Sequence, residues 1–536
     1  MAAAAAVAAA PTAIHRASSQ RSSVARFYIT TAIDYANGDP HLGHAFEKIG
    51  ADALARYHRL RGDDVHFLMG MDEHGQKVAQ SAAERGIEPQ QLVDQLAARF
   101  ETMWHRLAIS NDQFIRTTDP RHKAGVRALI EHMLRRSPDD FYEKAYEGWY
   151  CVGCELFKRE NEIADGKCVL HPTRTLEWAQ ERNWFFRLSR YQGFLTNLLT
   201  TRPDFLRPES RRNELLALLE SGLEDISITR SKLSWAIPFP EPVSTGEQQG
   251  TWVWFDALPN YLTATGYPTP GYEKRWPAQL HVVGKDITRL HALIWPAMLE
   301  SAGLPLPEHV FGHGFAYFSG QRFSKSAGVT LDLDEAIDRY GADAFRYFLL
   351  REIPFDNDGS FTWDRLEERY TADLANAFGN LASRTIAMIE RYCGGVIPGS
   401  AENDVDRGDL ADAGDYARAM ERCLLHEALR IVWRMVARGN EYVDRQAPWK
   451  LAKDPSAREA LERTLATLAR QLVRQAVLVQ PFMPGKSRDL WEQLGGVAAG
   501  ATPHWRLVEA PAPNGWRVIK GPPLFPKETT GAGREG

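Results

Sequence analysis

Four soft donors stand in two pairs between positions 151 and 171: Cys151-x2-Cys154, thirteen residues, then Cys168-x2-His171. Paired knuckles at this spacing suit tetrahedral Zn²⁺. Four protein ligands fill the coordination sphere and leave no place for a reactive water, so the expected ion is structural, one per chain. Two histidines three residues apart, His41 and His44, enclose Leu42-Gly43 at the head of a helical pattern. A helix N-terminus favours anions through its unpaired N–H groups and dipole. Two imidazoles on that turn can donate to a phosphoryl group, and Gly43 leaves room for a base or ribose against the backbone. Capping or surface histidines are the alternative. Far downstream, Arg322-Phe323-Ser324-Lys325-Ser326 lies between Gly320 and Gly328. A lysine between two serines with glycine hinges suits β- and γ-phosphates; alone, it reads as a solvated basic loop.

These groups need a scaffold. Residues Phe27, Ile29, Thr31 and Ile33 alternate as in a strand. A turn at Asn37-Gly38-Asp39-Pro40 precedes apolar residues at helical spacing up to Gly62, and a second buried strand spans Val65 to Gly70. Candidate strands at His281–Gly284 and His309–Gly312 bracket another helix. The order implies an α/β fold: a doubly wound, Rossmann-like parallel sheet split by a long insertion. Neither common phosphate motif is present. There is no G-x-G-x-x-G, and Gly485-Lys486-Ser487 lacks the Walker glycine because Gln480 occupies its position. From about Glu368 to Glu492 helical periodicity dominates, implying a bundle.

At 536 residues and 60.4 kDa the chain should hold several modules. An ordinary 44% hydrophobic and 25% charged composition excludes wholesale disorder, and no apolar run reaches the ~18 residues of a membrane span. A net charge of −5 requires any nucleic-acid contact to use local basic patches, such as Arg430, Arg434, Arg438, Arg445 and Lys450. A basic helical face is also commonly just solvated. Five cysteines, three within eighteen residues, point to a metal in a reducing compartment; Cys393 and Cys423 read as packing residues in helices.

The two phosphate signatures, in this order and on this sheet, resemble those of class I aminoacyl-tRNA synthetases. The surrounding segments FYITTAIDYANGDPHLGHAFEKIGADALARYHRLRGDDVHFLMGMDEHGQKV, GWYCVGCE, GLEDISITR, HVVGKDITRLH, RFSKSAGV, RYGADAFRYFLLREIPF, FGNLASR and QAPWKLAK are similar to the methionyl-tRNA synthetase family. The resemblance implies ATP-dependent activation of L-methionine and its transfer to tRNA(Met), with Mg²⁺ accompanying ATP. It implies catalysis by His41, His44 and Lys325, and ATP contacts from these with Tyr35, Gly43, Arg230, Ser324 and Ser326. By the same resemblance Asp72 holds the substrate ammonium, and Ile33, Trp254, Ala257, Tyr261, Ile287 and His291 line the methionine pocket. The run Trp252-Val253-Trp254-Phe255-Asp256-Ala257 fits either a core or a thioether slot, since sulfur packs well on ring edges. Asp72 as the cap of a helix starting near Glu73, and His291 as a satisfied core histidine, are the plainer readings. Anticodon reading falls to Asn380, Arg384 and Trp449.

The implied organisation is a leader over 1–26, the catalytic domain over 27–137 and 248–318, and a connective zinc-bearing insertion over 138–247. A phosphate-loop and stem-contact segment follows over 319–367, then an anticodon-binding helical bundle over 368–500 and an extended tail over 501–536. Arg322 and Phe323 replace the lysine and methionine that usually open the second signature, and Asp34 replaces a usual proline or tyrosine. The leader, basic and without Asp or Glu, is compatible with a short transit peptide for an organelle matrix; an inert leader on a cytoplasmic monomer is the expectation preferred. A non-catalytic RNA-binding paralogue, or a synthetase for Val, Ile or Leu, are the competing functions.

Overall fold

The computed structural model describes residues 24–152, 156–158, 160–169, 171–231, 233–318 and 331–527. Seven parallel strands form its central sheet. Their path runs Leu206–Arg207, His309–His313, Leu280–Gly284, Arg26–Thr31, Asp64–Asp72, and both Asp34–Tyr35 and Gln113–Arg116 pair with Asp64–Asp72. The first strand therefore sits mid-sheet, with crossovers leaving it in both directions. This is the switch point at which strand ends open into a crevice. Alternation along each strand feeds two cores. Tyr28, Leu68, Val283 and Val310 face one, while Ile29, Phe67, Val282 and Phe311 face the other. Burial on both faces is why these strands read as near-continuous apolar runs.

The expected first strand reaches to Ile33, but the ladder stops at Thr31. Lys48 from the first helix takes the Ala32 carbonyl at 2.8 Å. The chain then steps across to pair as Asp34–Tyr35 with Met71–Asp72, and the Ala36 N–H donates to the Asp72 carbonyl at 2.8 Å. The first helix, Leu42–Arg61, ends at Gly62 in the left-handed conformation, φ 86°. Asp72 lies within its strand, and the next helix begins only at Gln76 with Gly75 as its cap. Asp72 is thus no helix cap.

Between the sheet's halves lies an antiparallel ladder of Phe141–Cys151 with Glu177–Phe186, paired from Phe141↔Phe186 to Tyr150↔Glu177. A small sheet of Ile163–Ala164, Lys167–Cys168 and His171–Thr175 accompanies it. Downstream, helices Asn380–Cys393, Asp404–Glu421, Leu425–Gln446 and Arg458–Val479 form the bundle. Cys423 lies in the turn between two of these, at φ 59°, and not in a helix as expected. Three of the five basic residues expected to make a basic region over Leu429–Lys450 are neutralised. Arg430 pairs with Glu427, Arg434 with Asp412 and Asp415, and Arg438 with Asp409 and Asp412. Residues 501–527 are irregular but for the turn Arg506–Glu509, yet they pack closely: Leu524 and Phe525 are buried against the bundle.

One fully buried guanidinium joins the parts. Arg346, on the helix Ala342–Glu352, donates to Asp52 of the first helix at 2.6 Å and to the Leu107 carbonyl at 3.0 Å. It also donates to the Pro481 and Phe482 carbonyls just past the bundle helix Arg458–Val479, at 2.9 and 2.8 Å. Removing one partner of a buried charge pair costs about 3–5 kcal/mol, because the other charge is left uncompensated. Arg346→Met should lower the unfolding free energy by that order, read as a shift of the urea midpoint.

Candidate functional site

The crevice at the carboxyl ends of the central strands holds a cavity of about 140 Å³. That is close to the ~150 Å³ that accommodates a benzene molecule, ample for a short unbranched side chain. Ile33, Asp72, Trp254, Ala257, Tyr261, Ile287 and His291 all line it, so seven residues dispersed over 259 positions (Ile33 to His291, inclusive) converge. Tyr35 stands on the same lining, as do Val253 of the aromatic run and Ala32, Leu258 and Asn260, which the sequence reading did not single out. Asp72, 6% exposed, comes from a strand end. Trp254 and Ala257 come from the short helix Val253–Ala257, and Trp254 meets His291 edge to face, 6.4 Å between centroids.

His291 belongs to a π-helical turn, Leu290–Ile294. Its Nδ1 lies 3.0 Å from the Ile287 carbonyl, which can only accept, so Nδ1 carries the proton. Nε2 then accepts from the Tyr261 hydroxyl at 2.6 Å. Burial pushes this imidazole down to about 4, against the opposing effects of the Ile287 bond and the charge of Glu47. This imidazole is therefore neutral at physiological pH. His281, behind Tyr261 at a 4.3 Å ring separation, is held well below the usual histidine range by burial.

A second polar tie went unseen in the sequence. Asp256 accepts from His74 at 2.6 Å and lies 2.9 Å from His122, whose other nitrogen meets Thr263 at 2.8 Å. Burial raises the Asp256 carboxyl, but the two histidines outweigh it and hold it at about 2. His74 follows Asp72 by two residues and Asp256 precedes Ala257, so this bond locks the carboxylate wall to the aromatic wall. Its one sequence signal is an aspartate inside an aromatic run.

At the mouth of the first helix the histidines cap each other's turn. His41 Nδ1 accepts from the Gly43 and His44 N–H groups at 3.1 and 3.4 Å, and the His41 N–H donates to His44 Nδ1 at 3.3 Å. The rings stack 3.7 Å apart. The two readings of H-x-G-H thus merge. Because each Nδ1 is an acceptor, each Nε2 is the donor, which fixes the tautomer a phosphate needs. The expectation of unpaired backbone N–H groups needs correcting, since those of Gly43 and His44 are taken. Gly43 has a second role: a Cβ there would lie 3.1 Å from His41 Cε1, pressing on the stacked ring.

Arg230 is placed beside this crevice, not in it. Its guanidinium bonds the Ser227 and Thr229 carbonyls at 3.1 and 2.7 Å, lies against Tyr150 and Trp252, and lines a neighbouring cavity of about 330 Å³. Ser324, Lys325 and Ser326 lie outside the described residues, as do Arg322, Phe323 and Cys154. Cys151 and Cys168 are buried together in a small cluster with Leu176. The strand register sets Cys168 opposite His171. Among the described residues no group of three or more His, Cys, Asp or Glu gathers as a metal site. In the bundle, Arg384 lies over the Trp449 ring at 5.7 Å and one turn after Asn380, giving the three residues one surface. No described helix is long and apolar enough to cross a membrane.

Comparison with known proteins gives this crevice its context. The profile of class I tRNA synthetases (M) matches residues 27–171 and 159–386, and that of the anticodon binding domain of methionyl tRNA ligase matches 396–515. The chain belongs to the class I methionyl-tRNA synthetases. It is 43% identical over 512 residues to the methionine–tRNA ligase of Brucella suis, covering 94% of this chain and 98% of that one. Against the Caldanaerobacter subterraneus enzyme it is also 43% identical, with 94% and 78% covered. A structure of Mycobacterium tuberculosis methionyl-tRNA synthetase in complex with methionyl-adenylate superposes with a TM-score of 0.88 at 38% identity, covering 94% of this chain and all of that one. The synthetase fold thus accounts for the sheet, the crevice and the bundle together.

The neutral His291 has a consequence for acid stability. Its folded value lies below the unfolded one, so its contribution is present above about 6.5 and is lost as pH falls toward 4. The unfolding free energy should fall by up to ~3 kcal/mol across that window from this group alone. His291→Gln should flatten that part of the urea-denaturation profile.

Proposed function

We propose that this chain is a methionine–tRNA ligase: it activates L-methionine with ATP and transfers the methionyl group to the 3′ end of tRNA(Met). The observation that carries the reading is the convergence of the acidic Asp72 and the aromatic slot of Trp254, Tyr261 and His291 on one cavity in a chain of this family. The carboxylate of methionine attacks the α-phosphorus of ATP, an oxygen–phosphorus bond forms, and pyrophosphate leaves. The 3′-terminal ribose hydroxyl then attacks the acyl carbon, and AMP departs.

In this reading Asp72 binds the substrate ammonium by a charge-assisted hydrogen bond. Trp254, Ala257, Tyr261, Ile33, Ile287 and His291 enclose the thioether, and the neutral His291–Tyr261 pair leaves no charge to attract water there. His41 and His44 donate from Nε2 to the phosphoryl oxygens where negative charge develops, which is preorganised electrostatic stabilisation. Tyr35 and Gly43 frame the nucleotide, and Lys325 with Ser324 and Ser326 serves the β- and γ-phosphates of Mg²⁺-ATP. Arg230 serves from the adjoining cavity. Asn380, Arg384 and Trp449 read unstacked anticodon bases by stacking and edge hydrogen bonds. The two buried thiols Cys151 and Cys168 suit a soft cation, so these with Cys154 and His171 would hold Zn²⁺. Such an ion would crosslink the knuckle.

Methionine-dependent exchange of labelled pyrophosphate into ATP, run beside valine, isoleucine and leucine, tests the reading. Exchange with methionine alone is expected, and none with any amino acid would leave an RNA-binding paralogue. Asp72→Asn should raise the methionine KM ~10–100-fold, the worth of a hydrogen bond to a charge of about 1.5–3 kcal/mol. Arg384→Ala and Trp449→Ala should leave exchange unchanged and weaken tRNA charging at least tenfold. Elemental analysis should find one zinc per chain, lost in Cys151→Ser.

A further inference from the structure

Behind the amino-acid cavity lies a charge cluster that the reaction above does not use. Lys48, fully buried, has three acceptors for its three N–H groups: Asp34 at 2.8 Å, Glu47 at 2.7 Å and the Ala32 carbonyl at 2.8 Å. Glu47 also meets His313 Nε2 at 3.0 Å, and His313 Nδ1 lies 2.7 Å from the Gly314 carbonyl. Asp34, Glu47, Lys48 and His313 are each at most 6% exposed. Burying four ionisable groups is expensive, so such a cluster persists where it fixes geometry. Asp34 and its partner Lys48 are fourteen positions apart in the sequence.

The two ends of this tie matter. Lys48 is one helical turn after His44, on the same face. Its acceptors Ala32 and Asp34 alternate with Ile33 and Tyr35, and Ala32, Ile33 and Tyr35 all line the amino-acid cavity. Asp34 and Tyr35 are in turn zipped to Met71 and Asp72. We propose that Lys48, gripped by Asp34, is a positioning residue that holds the methionine-binding wall at a fixed distance from the phosphate-binding histidines. The proposal rests on the methionine-activating reading, but it concerns residues that touch neither substrate.

The grip is sensitive to protons. Burial pushes the Asp34 carboxyl up to about 7, against the opposing charge of Lys48. The titratable groups acting on it are Lys48 and Glu47 from the first helix; Glu47 in turn faces His313 from the sheet and feels Tyr261 and His291 of the pocket wall, and Asp72 of the neighbouring strand acts on Tyr261. Ionisation of Asp34 as pH rises through 7 completes the ion pair, so the wall tightens above that pH.

Pyrophosphate exchange between pH 6 and 8 should show the wild-type methionine KM falling at least threefold as pH rises. Asp34→Asn keeps an acceptor for Lys48 without the charge, and its KM should stay flat at the wild-type pH 6 value. Lys48→Met, with folding checked by circular dichroism, should raise the methionine KM tenfold or more while the ATP KM moves less than threefold. A wild-type KM that does not change with pH, or an Asp34→Asn profile that follows the wild type, overturns the proposal. Should Lys48→Met fail to fold, Asp34→Asn decides alone. Amide hydrogen exchange over residues 32–41 needs no substrate and separates the two claims. Severalfold faster exchange in Asp34→Asn at pH 8 upholds the tie even if the wild type activates no amino acid; unchanged protection overturns it.

Discussion

Everything at the site follows from a chain that enters its own sheet in the middle. With Arg26–Thr31 flanked by Asp64–Asp72 and Leu280–Gly284, the connections must diverge, and the strand ends between them cannot be covered by a crossover helix. The opening so created is lined mostly by apolar side chains, with Asp72, Asn260 and His291 among them. Parallel pairing fixes which strand ends meet there: Asp72 on one side, the Lys285–Ile287 turn on the other. Substrate-sized space is thus a consequence of topology before any side chain is considered.

Side chains then remove freedom from that space. The His74–Asp256–His122 bonds and the Ile287–His291–Tyr261 chain leave each participating imidazole with one defined hydrogen-bonding pattern. The reciprocal cap of His41 and His44 does the same at the helix mouth. In a low-dielectric crevice such fixed dipoles need no reorganisation when charge moves.

How much of this was legible beforehand depended on the range of the interactions. The helix ending at Gly62 was readable because periodicity and a left-handed terminator act locally. The H-x-G-H pair was readable for the same reason, although its use of backbone N–H groups was not. The resemblance supplied the pocket, and the fold brought all seven of its residues to one cavity. What stayed hidden were partners set by tertiary packing. Nothing near Arg434 or Arg438 in sequence announces Asp409 or Asp412 on the preceding helix. Asp34 looked like an oddity until Lys48 was seen beneath it. The early end of the first strand is the same fact seen from the backbone.

The bundle and the sheet share one continuous core, in which Phe67 and Phe311 of the sheet belong with Leu349, Leu468 and Val477 of the helices. Arg346 sits at their junction. A severed N-terminal half would therefore carry a raw greasy flank, and its Asp52 would lose the Arg346 partner and keep only Arg56 and Ser110. Evolution cannot trade the anticodon reader for another appendage by simple cut and splice; any replacement must also rebuild that flank, which binds the inheritance of the two halves together.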